Sequence, residues 1–242
     1  VAAFADMMNQ KAQELGCVNT HFVNASGMPD ENHYTTAHDM ALIFREAIKN
    51  QDFLDIIGTQ SFTIDPTNMN PESRTYSTHH ALVAQGAPEY YEGCFGGKTG
   101  VTEASKNTLV SGATRDGMTL IAVAMRADAG QVCQDHISMF DYGFNNFSRT
   151  AVKDLPSKIT RHLLPAEKYI LKDYKDDMLF ETRRTASVSL PSGVDSNALE
   201  KTYSITKNPA GLPLLTVTYT YNDHVVGSAR YYQTRLLSDQ LL

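Results

Sequence analysis

Cysteine is scarce in this chain of 242 residues: Cys17, Cys94 and Cys133 are the full set, odd in number and without a C-x-x-C pair. That pattern excludes a disulfide framework or zinc knuckle and leaves three buried or incidental thiols. Positive charge is also sparse. Lysine and arginine number 21 against 27 acidic residues, so the net charge is −6, and no basic run occurs. Phosphate binding needs a clustered cationic footprint, so a nucleic-acid partner is excluded. No stretch reaches the roughly 20 apolar residues of a membrane span. No signal-peptide pattern opens the sequence, and there is no fixed-period repeat or low-complexity segment. His33, His38, His79 and His80 fall in no H-E-x-x-H or other ligand spacing. They read as surface or loop histidines, and no metal or organic cofactor is expected.

What is present is ordinary for a folded protein: 42% hydrophobic and 20% charged residues, enough for one large domain or two modest ones. "VAAFADMMNQKAQELG" places Phe4, Met8, Ala12 and Leu15, with Met7 beside them, on one helical face, and Gly16 is a natural stop. No capping residue precedes that helix and its pattern is already in phase at Val1, so the expectation is a start inside or just ahead of a helix. A second helix is predicted from Thr36 to Asn50, capped by Thr36, with Asp39 in its first turn and Met40, Ile43, Ala47 and Ile48 buried. A short helix around Asp52–Ile57, a strand "QSFTI" and a proline-punctuated stretch over 65–92 follow.

In "NTLVSGATRDGMTLIAVAMRA", apolar runs flank Arg115-Asp116-Gly117, which predicts a tight hairpin because Asp-Gly supplies positive φ angles. The second run, Met118–Met125, is continuously apolar and predicts a central strand covered on both faces. Gln131–Phe147 reads as a helix buried through Val132, His136, Met139 and Phe140. Beyond about Arg149, "ASVSLPSGV", "KTYSITK" and "LLTVTYTYNDHVVGSARYY" alternate apolar and polar residues, as half-buried strands do. The fold class is therefore α+β, with an α+β domain over 1–148 followed by a small all-β domain over 149–242.

"GCFGGKTGVT", residues 93–102, carries the chemistry. A phosphate loop needs G-x-x-x-x-G-K-[ST] between a buried strand and a helix. Here only three residues separate Gly93 from Gly97, and turn and strand residues follow Gly100, so no helix dipole is available for phosphate. Lys-Thr-Gly on a strand suits a different task. The Lys98 ammonium and Thr99 hydroxyl can grip a carboxylate by charge and hydrogen bond, and Gly100 leaves room for a ligand against the strand. Strict alternation sends Lys98 and Thr99 to opposite faces, so a joint grip requires a twisted edge strand.

Three stretches in this order, "MNQKAQELGCVNTHFVNASGMPDENHYTTAHDMALI", "YYEGCFGGKTGVTEASKNTLVSGATRDGMTLIAVAM" and "DYGF", resemble the low-molecular-mass penicillin-binding proteins. Within them, the chain looks like the serine D-alanyl-D-alanine carboxypeptidases, from about Val1 to Phe147. The resemblance implies part of a penicillin-binding, transpeptidase-like domain, an antiparallel sheet with helices, followed by the family's β-rich C-terminal domain. It also implies a mechanism. The serine of Ser-x-x-Lys attacks the D-Ala–D-Ala end of a peptidoglycan stem peptide, is acylated as D-alanine leaves, and water frees the stem.

By position, the resemblance makes Lys98 catalytic and substrate-binding, Thr99 a donor to the terminal carboxylate, Gly100 the opening for substrate, and the Val101 N–H a second oxyanion donor. It implies β-lactam antibiotics as inhibitors of the complete enzyme, an extracytoplasmic location, and peripheral membrane association through a C-terminal anchor, which "TRLLSDQLL" is too short to establish. The departures are as informative. Ser-x-x-Lys and Ser-x-Asn precede this region in the family, and here neither does. The single Ser-x-x-Lys, Ser204 to Lys207, lies in an alternating strand where its two groups diverge. Ser105-Lys106-Asn107 follows Lys-Thr-Gly, in the wrong order, and reads as turn chemistry. Ser77–Leu82 stands where relatives often carry asparagines. The chain therefore holds one of three active-site walls and no nucleophile. The alternatives are a related β-lactamase or transpeptidase and a non-catalytic cell-wall-binding scaffold.

Overall fold

The helix at the start of the chain, α1 (Ala2–Glu14), ends two residues before Gly16. Its buried positions are Ala5 and Ala12, whereas Phe4 and Met7 are exposed and Met8 and Leu15 half-buried. The expected stripe holds at Ala12 and in part at Met8 and Leu15, whereas Phe4 and Met7 face outward and Ala5, off the stripe, is buried. The structure, a computed structural model, describes residues 2–152, 158–160, 178–182, 186–208 and 210–236. The anchor-like end, 237–242, lies outside them. Two compact units, Val1–Phe144 and Asn145–Leu242, divide the chain.

In the first unit, α2 (Ala37–Ala47) begins at its Thr36 cap, whose hydroxyl accepts the Asp39 N–H at 3.1 Å. Phe44 is its buried apolar anchor, while Met40, Ile43, Ala47 and Ile48 are only half-buried. Asp39 does more than complement the helix dipole. It is buried, and its Oδ2 accepts from the Asn19 amide and the Thr20 hydroxyl, each at 2.8 Å. Burial raises its pKa, but hydrogen bonds from Thr20, Asn19 and His38 outweigh this and hold the carboxyl below its ordinary value. The short α3 (Gln51–Ile57), capped by Asn50, leads into a hairpin of β1 (Ser61–Ile64) and β2 (Arg74–Ser77).

The main sheet of this unit is antiparallel, in the order β3 (Cys94–Thr102), β4 (Lys106–Arg115), β5 (Met118–Ala127). Asp116 and Gly117, at φ of 51° and 74°, form the expected tight turn between β4 and β5. Among the described residues, however, β4 is the central strand. It is β4 that carries the run of buried residues from Leu109 to Ala113, and β5 is an end strand with only Met118 and Ala122 fully buried. A continuously apolar run signals covered faces but says nothing about which edges are paired, and here both faces are covered. Leu109, Ala113 and Ala122 pack with Phe140 of α4 (Val132–Asn146), together with Leu82 and Tyr91. On the opposite face Gly112 meets the Phe95 ring, which stacks on Phe44 of α2 at 6.5 Å. Each fully buried Leu or Phe contributes about 2 kcal/mol relative to exposure. In α4 the inward positions are His136, Phe140 and Gly143, while Met139, expected inside, is 39% exposed.

Among its described residues the second unit consists of strands and one 3-10 turn, and β6 (Phe147–Ala151) pairs with β9 (Ser187–Pro191). A five-stranded antiparallel sheet runs β10 (Glu200–Lys207), β11 (Pro213–Tyr221), β12 (His224–Leu236), β8 (Met178–Glu181), β7 (Lys158–Thr160). Period-two burial is plain in β11, where Leu215, Val217 and Tyr219 all turn inward. Asn222 and Asp223, both at positive φ, close the β11–β12 turn. Ser204 and Lys207 lie in β10, a strand rather than a helix. The whole is the α+β class with a small β-rich portion after it.

Candidate active site

The Lys-Thr-Gly stretch is strand, not loop. Lys98, Thr99 and Gly100 pair in register with Val110, Leu109 and Thr108 of β4, and β3 has no partner on its other side among the described residues. Gly97 pairs with Ser111. A Cβ on Gly97 would fall 2.6 Å from His80 Nε2 and 2.2 Å from the Val110 carbonyl oxygen, so that side of β3 is filled. By alternation Lys98 projects to the opposite side and Thr99 returns to that of Gly97. Their exposure follows: Lys98 is open and Thr99 half-buried.

The side to which Lys98 turns holds a groove of about 550 Å³. Its walls are the end of α3 (Asp55, Ile56, Ile57), residues 59–62 leading into the start of β1, and Tyr76, Ser77 and Thr78 at and just past the end of β2; Gly97 and Lys98 are its β3 residues. Ile57 sits directly over Gly96, which fixes α3 against the strand just ahead of the lysine. Lys98 is the cation of this lining and Asp55 its anion. The Lys98 Nζ folds back to donate to the Thr99 carbonyl oxygen at 2.5 Å. Thr99, Gly100 and Val101 continue along β3 beyond the groove lining, and Val101 is exposed. Of the four expected site residues the groove thus holds Lys98, and the other three share its strand.

His80 is what sequence reasoning missed. It occupies a loop, as expected, but is only 4% exposed. Neither ring nitrogen has a hydrogen-bond partner among the described residues. Burial pushes its pKa down to about 4, helped by the nearby His136. Its one sequence signal was its place just ahead of the apolar Ala81-Leu82-Val83. Cys94, at the start of β3, is partly buried, and burial pushes its thiol up to about 11, so it is no nucleophile at neutral pH. Ser105-Lys106-Asn107 is turn chemistry: the Ser105 amide donates to Thr102 Oγ1 at 2.9 Å. Tyr91 is core, its hydroxyl donating to Asp141 Oδ1 at 2.8 Å, while Tyr90 is partly exposed.

Comparison with known proteins decides the family. A family model described as D-alanyl-D-alanine carboxypeptidase matches residues 1–129, which include the whole of β3. The chain belongs to the D-alanyl-D-alanine carboxypeptidase family. It is 26% identical over 206 residues to the carboxypeptidase DacF of Bacillus subtilis, covering 85% of this chain and 50% of the relative. It is 35% identical over 144 residues to DacB2 of Mycobacterium tuberculosis, covering 57% of this chain and 46% of the relative. The chain thus spans about half the length of these curated relatives. Among solved structures, a Streptomyces DD-transpeptidase superposes with a TM-score of 0.54 at 29% identity, over 59% of this chain and 54% of that one. A carboxypeptidase from Francisella tularensis superposes with a TM-score of 0.60 over 97% of this chain and 68% of that one. At 19% identity this second likeness speaks for the fold alone. Among the described residues, no helix of this family member is long and apolar enough to cross a membrane.

Proposed function

We propose that this chain supplies the Lys-Thr-Gly wall of a serine-type D-Ala–D-Ala carboxypeptidase acting on peptidoglycan stem peptides in the cell envelope, outside the cytoplasmic membrane. The observation that carries this reading is Lys98: it lies inside the family match, beside a groove, and on a strand whose outer edge has no partner among the described residues. A stem peptide paired along the open edge of β3 would bring its terminal carboxylate to the Lys98 ammonium, which exchanges the Thr99 carbonyl for the stronger ionic partner. The Thr99 hydroxyl would add a hydrogen bond from the other side of the strand. Gly100 would let the peptide lie close, and the Val101 N–H would face the oxyanion formed when the nucleophile attacks. The nucleophilic serine and its lysine belong to Ser-x-x-Lys, the first of the two motifs that precede this region in the family. The 242-residue chain alone therefore binds but does not hydrolyse, and β-lactams acylate only the complete enzyme.

Amide shifts of the ¹⁵N-labelled chain test this. A D-Ala–D-Ala peptide with a free carboxylate should shift Lys98 and Thr99, its C-terminal amide should not, and Lys98→Ala should abolish the effect. Fluorescent penicillin should leave the chain unlabelled. A peptide that shifts neither residue overturns the reading in favour of a scaffold that does not grip peptide ends. Covalent labelling of the chain alone overturns the claim that it lacks a nucleophile.

A further inference from the structure

Three buried side-chain polar atoms of the first unit have no hydrogen-bond partner among the described residues: both ring nitrogens of His80 and the Ser111 hydroxyl. Both residues flank Gly97. A methyl group there would fall 2.6 Å from His80 Nε2, 2.7 Å from Ser111 Cβ and 2.2 Å from the Val110 carbonyl oxygen. Burying unpaired polar groups costs stability, so a hydrocarbon side chain would fill this space at lower cost. What an imidazole has and a leucine lacks is reach, since its Nε2 lies one bond further from the backbone than a leucine methyl. The ring is itself firmly held. The His80 amide donates to Thr78 Oγ1 at 3.1 Å, the Val83 amide donates to the His80 carbonyl oxygen at 3.1 Å, and Leu82 is fully buried. The same loop reaches the other side of the site: Thr78 lines the groove, and its amide donates to the Gln60 carbonyl oxygen at 2.8 Å. One loop therefore bounds the groove beside Lys98 and backs β3 at Gly97.

Resting on the function proposed above, we propose that His80 is a positioning residue for the carboxylate grip. Its ring is a stop behind Gly97 that sets the depth of β3, so that Lys98, the next residue, meets the ligand carboxylate at hydrogen-bonding distance. The role is contact at the tip of the ring, not a proton or a hydrogen bond, and it acts through Gly97 without touching the ligand. With the stop shortened, close packing draws β3 toward the loop and the Lys98 ammonium back from the groove. A charge-assisted hydrogen bond is short and directional, so the small displacement is felt at the carboxylate.

The test is the preference of the ¹⁵N-labelled chain for a D-Ala–D-Ala peptide with a free carboxylate over its C-terminal amide. Dissociation constants at neutral pH give that preference, and urea unfolding of the same variants is set beside it. His80→Leu fills the space with hydrocarbon but ends one bond short. It should be at least as stable as wild type, yet lose most of a preference of roughly tenfold. His80→Gln restores the reach and should keep the preference. Ser111→Ala, which removes the third unpartnered atom and leaves the ring, should keep it too. A preference that survives in His80→Leu overturns the positioning role and leaves the grip standing. A preference that falls only as far as stability falls, across the three variants, overturns it in favour of plain packing. A loss in Ser111→Ala equal to that in His80→Leu overturns it in favour of the polar atoms. A wild-type chain that binds both peptides alike, or neither, overturns the grip and the positioning role together.

Discussion

His80 packs its buried imidazole against Gly97, so closely that a methyl group on the glycine would lie 2.6 Å from Nε2. The residue before the candidate grip is therefore held by a side chain from a distant loop, and this contact sets a contrast between two glycines. In Gly97→Ala the methyl group also meets the Val110 carbonyl oxygen at 2.2 Å, and neither backbone nor buried ring yields cheaply. A destabilisation of about 2 kcal/mol or more is expected, read from urea unfolding. In Gly100→Ala the obstacle is the Thr108 hydroxyl, which can rotate away at the loss of its bond to the Gly100 carbonyl, about 0.5–1 kcal/mol. Equal costs would show that β3 is not pinned at Gly97.

His80 also predicts a pH dependence. Its folded pKa is depressed from 6.5 to about 4, so the folded state favours the neutral ring. The unfolded chain takes up the proton first. The contribution is whole above pH 6.5, is lost progressively as pH falls, and is exhausted near pH 4. The loss is about 3 kcal/mol at most over that window. His136, likewise depressed by burial, acts in the same direction, so the comparison that isolates His80 is the wild type against His80→Leu, whose stability profile should be flatter from pH 7 to 4.

Tyr91 ties the loop before β3 to α4. Its hydroxyl donates to Asp141 and accepts from Arg115 Nη2 at 3.0 Å, and the Arg115 guanidinium lies over the Tyr91 and Phe144 rings at 5.4 and 4.7 Å. Burial, with the Asp141 hydrogen bond, pushes its pKa up to about 12, so the phenol stays protonated. Tyr91→Phe should cost about 2 kcal/mol. A double-mutant cycle with Asp141→Ala should give a coupling of about 1 kcal/mol. Additivity in that cycle would mean that the bond contributes nothing.

In the second unit the prediction runs the other way. The Tyr219 and Tyr231 hydroxyls are buried without a hydrogen-bond partner among the described residues. Burial lifts both pKa values, that of Tyr219 to about 12. Removing an unpaired buried hydroxyl relieves its desolvation cost, so Tyr219→Phe and Tyr231→Phe should each stabilise this unit by about 1 kcal/mol, read as a higher unfolding midpoint. A lower midpoint would reveal a partner for the hydroxyl.

Local chemistry was legible in the sequence. Asp116-Gly117 and Asn222-Asp223 are turns because their φ angles are set by the residues themselves, Thr36 caps because its hydroxyl reaches an amide three residues on, and β11 alternates because a pleat has period two. Lys-Thr-Gly on a strand was readable for the same reason.

What tertiary structure alone decided was which surfaces meet. Ala5 rather than Phe4 or Met7 is buried on α1, β4 rather than β5 is central among the described residues, and His80 is interior. The groove beside Lys98 joins α3, a hairpin and β3, segments up to 43 residues apart between Asp55 and Lys98. Periodicity reports that a face is apolar, but a cavity exists only where distant elements stop short of filling the space between them. No single stretch of chain encodes that distance.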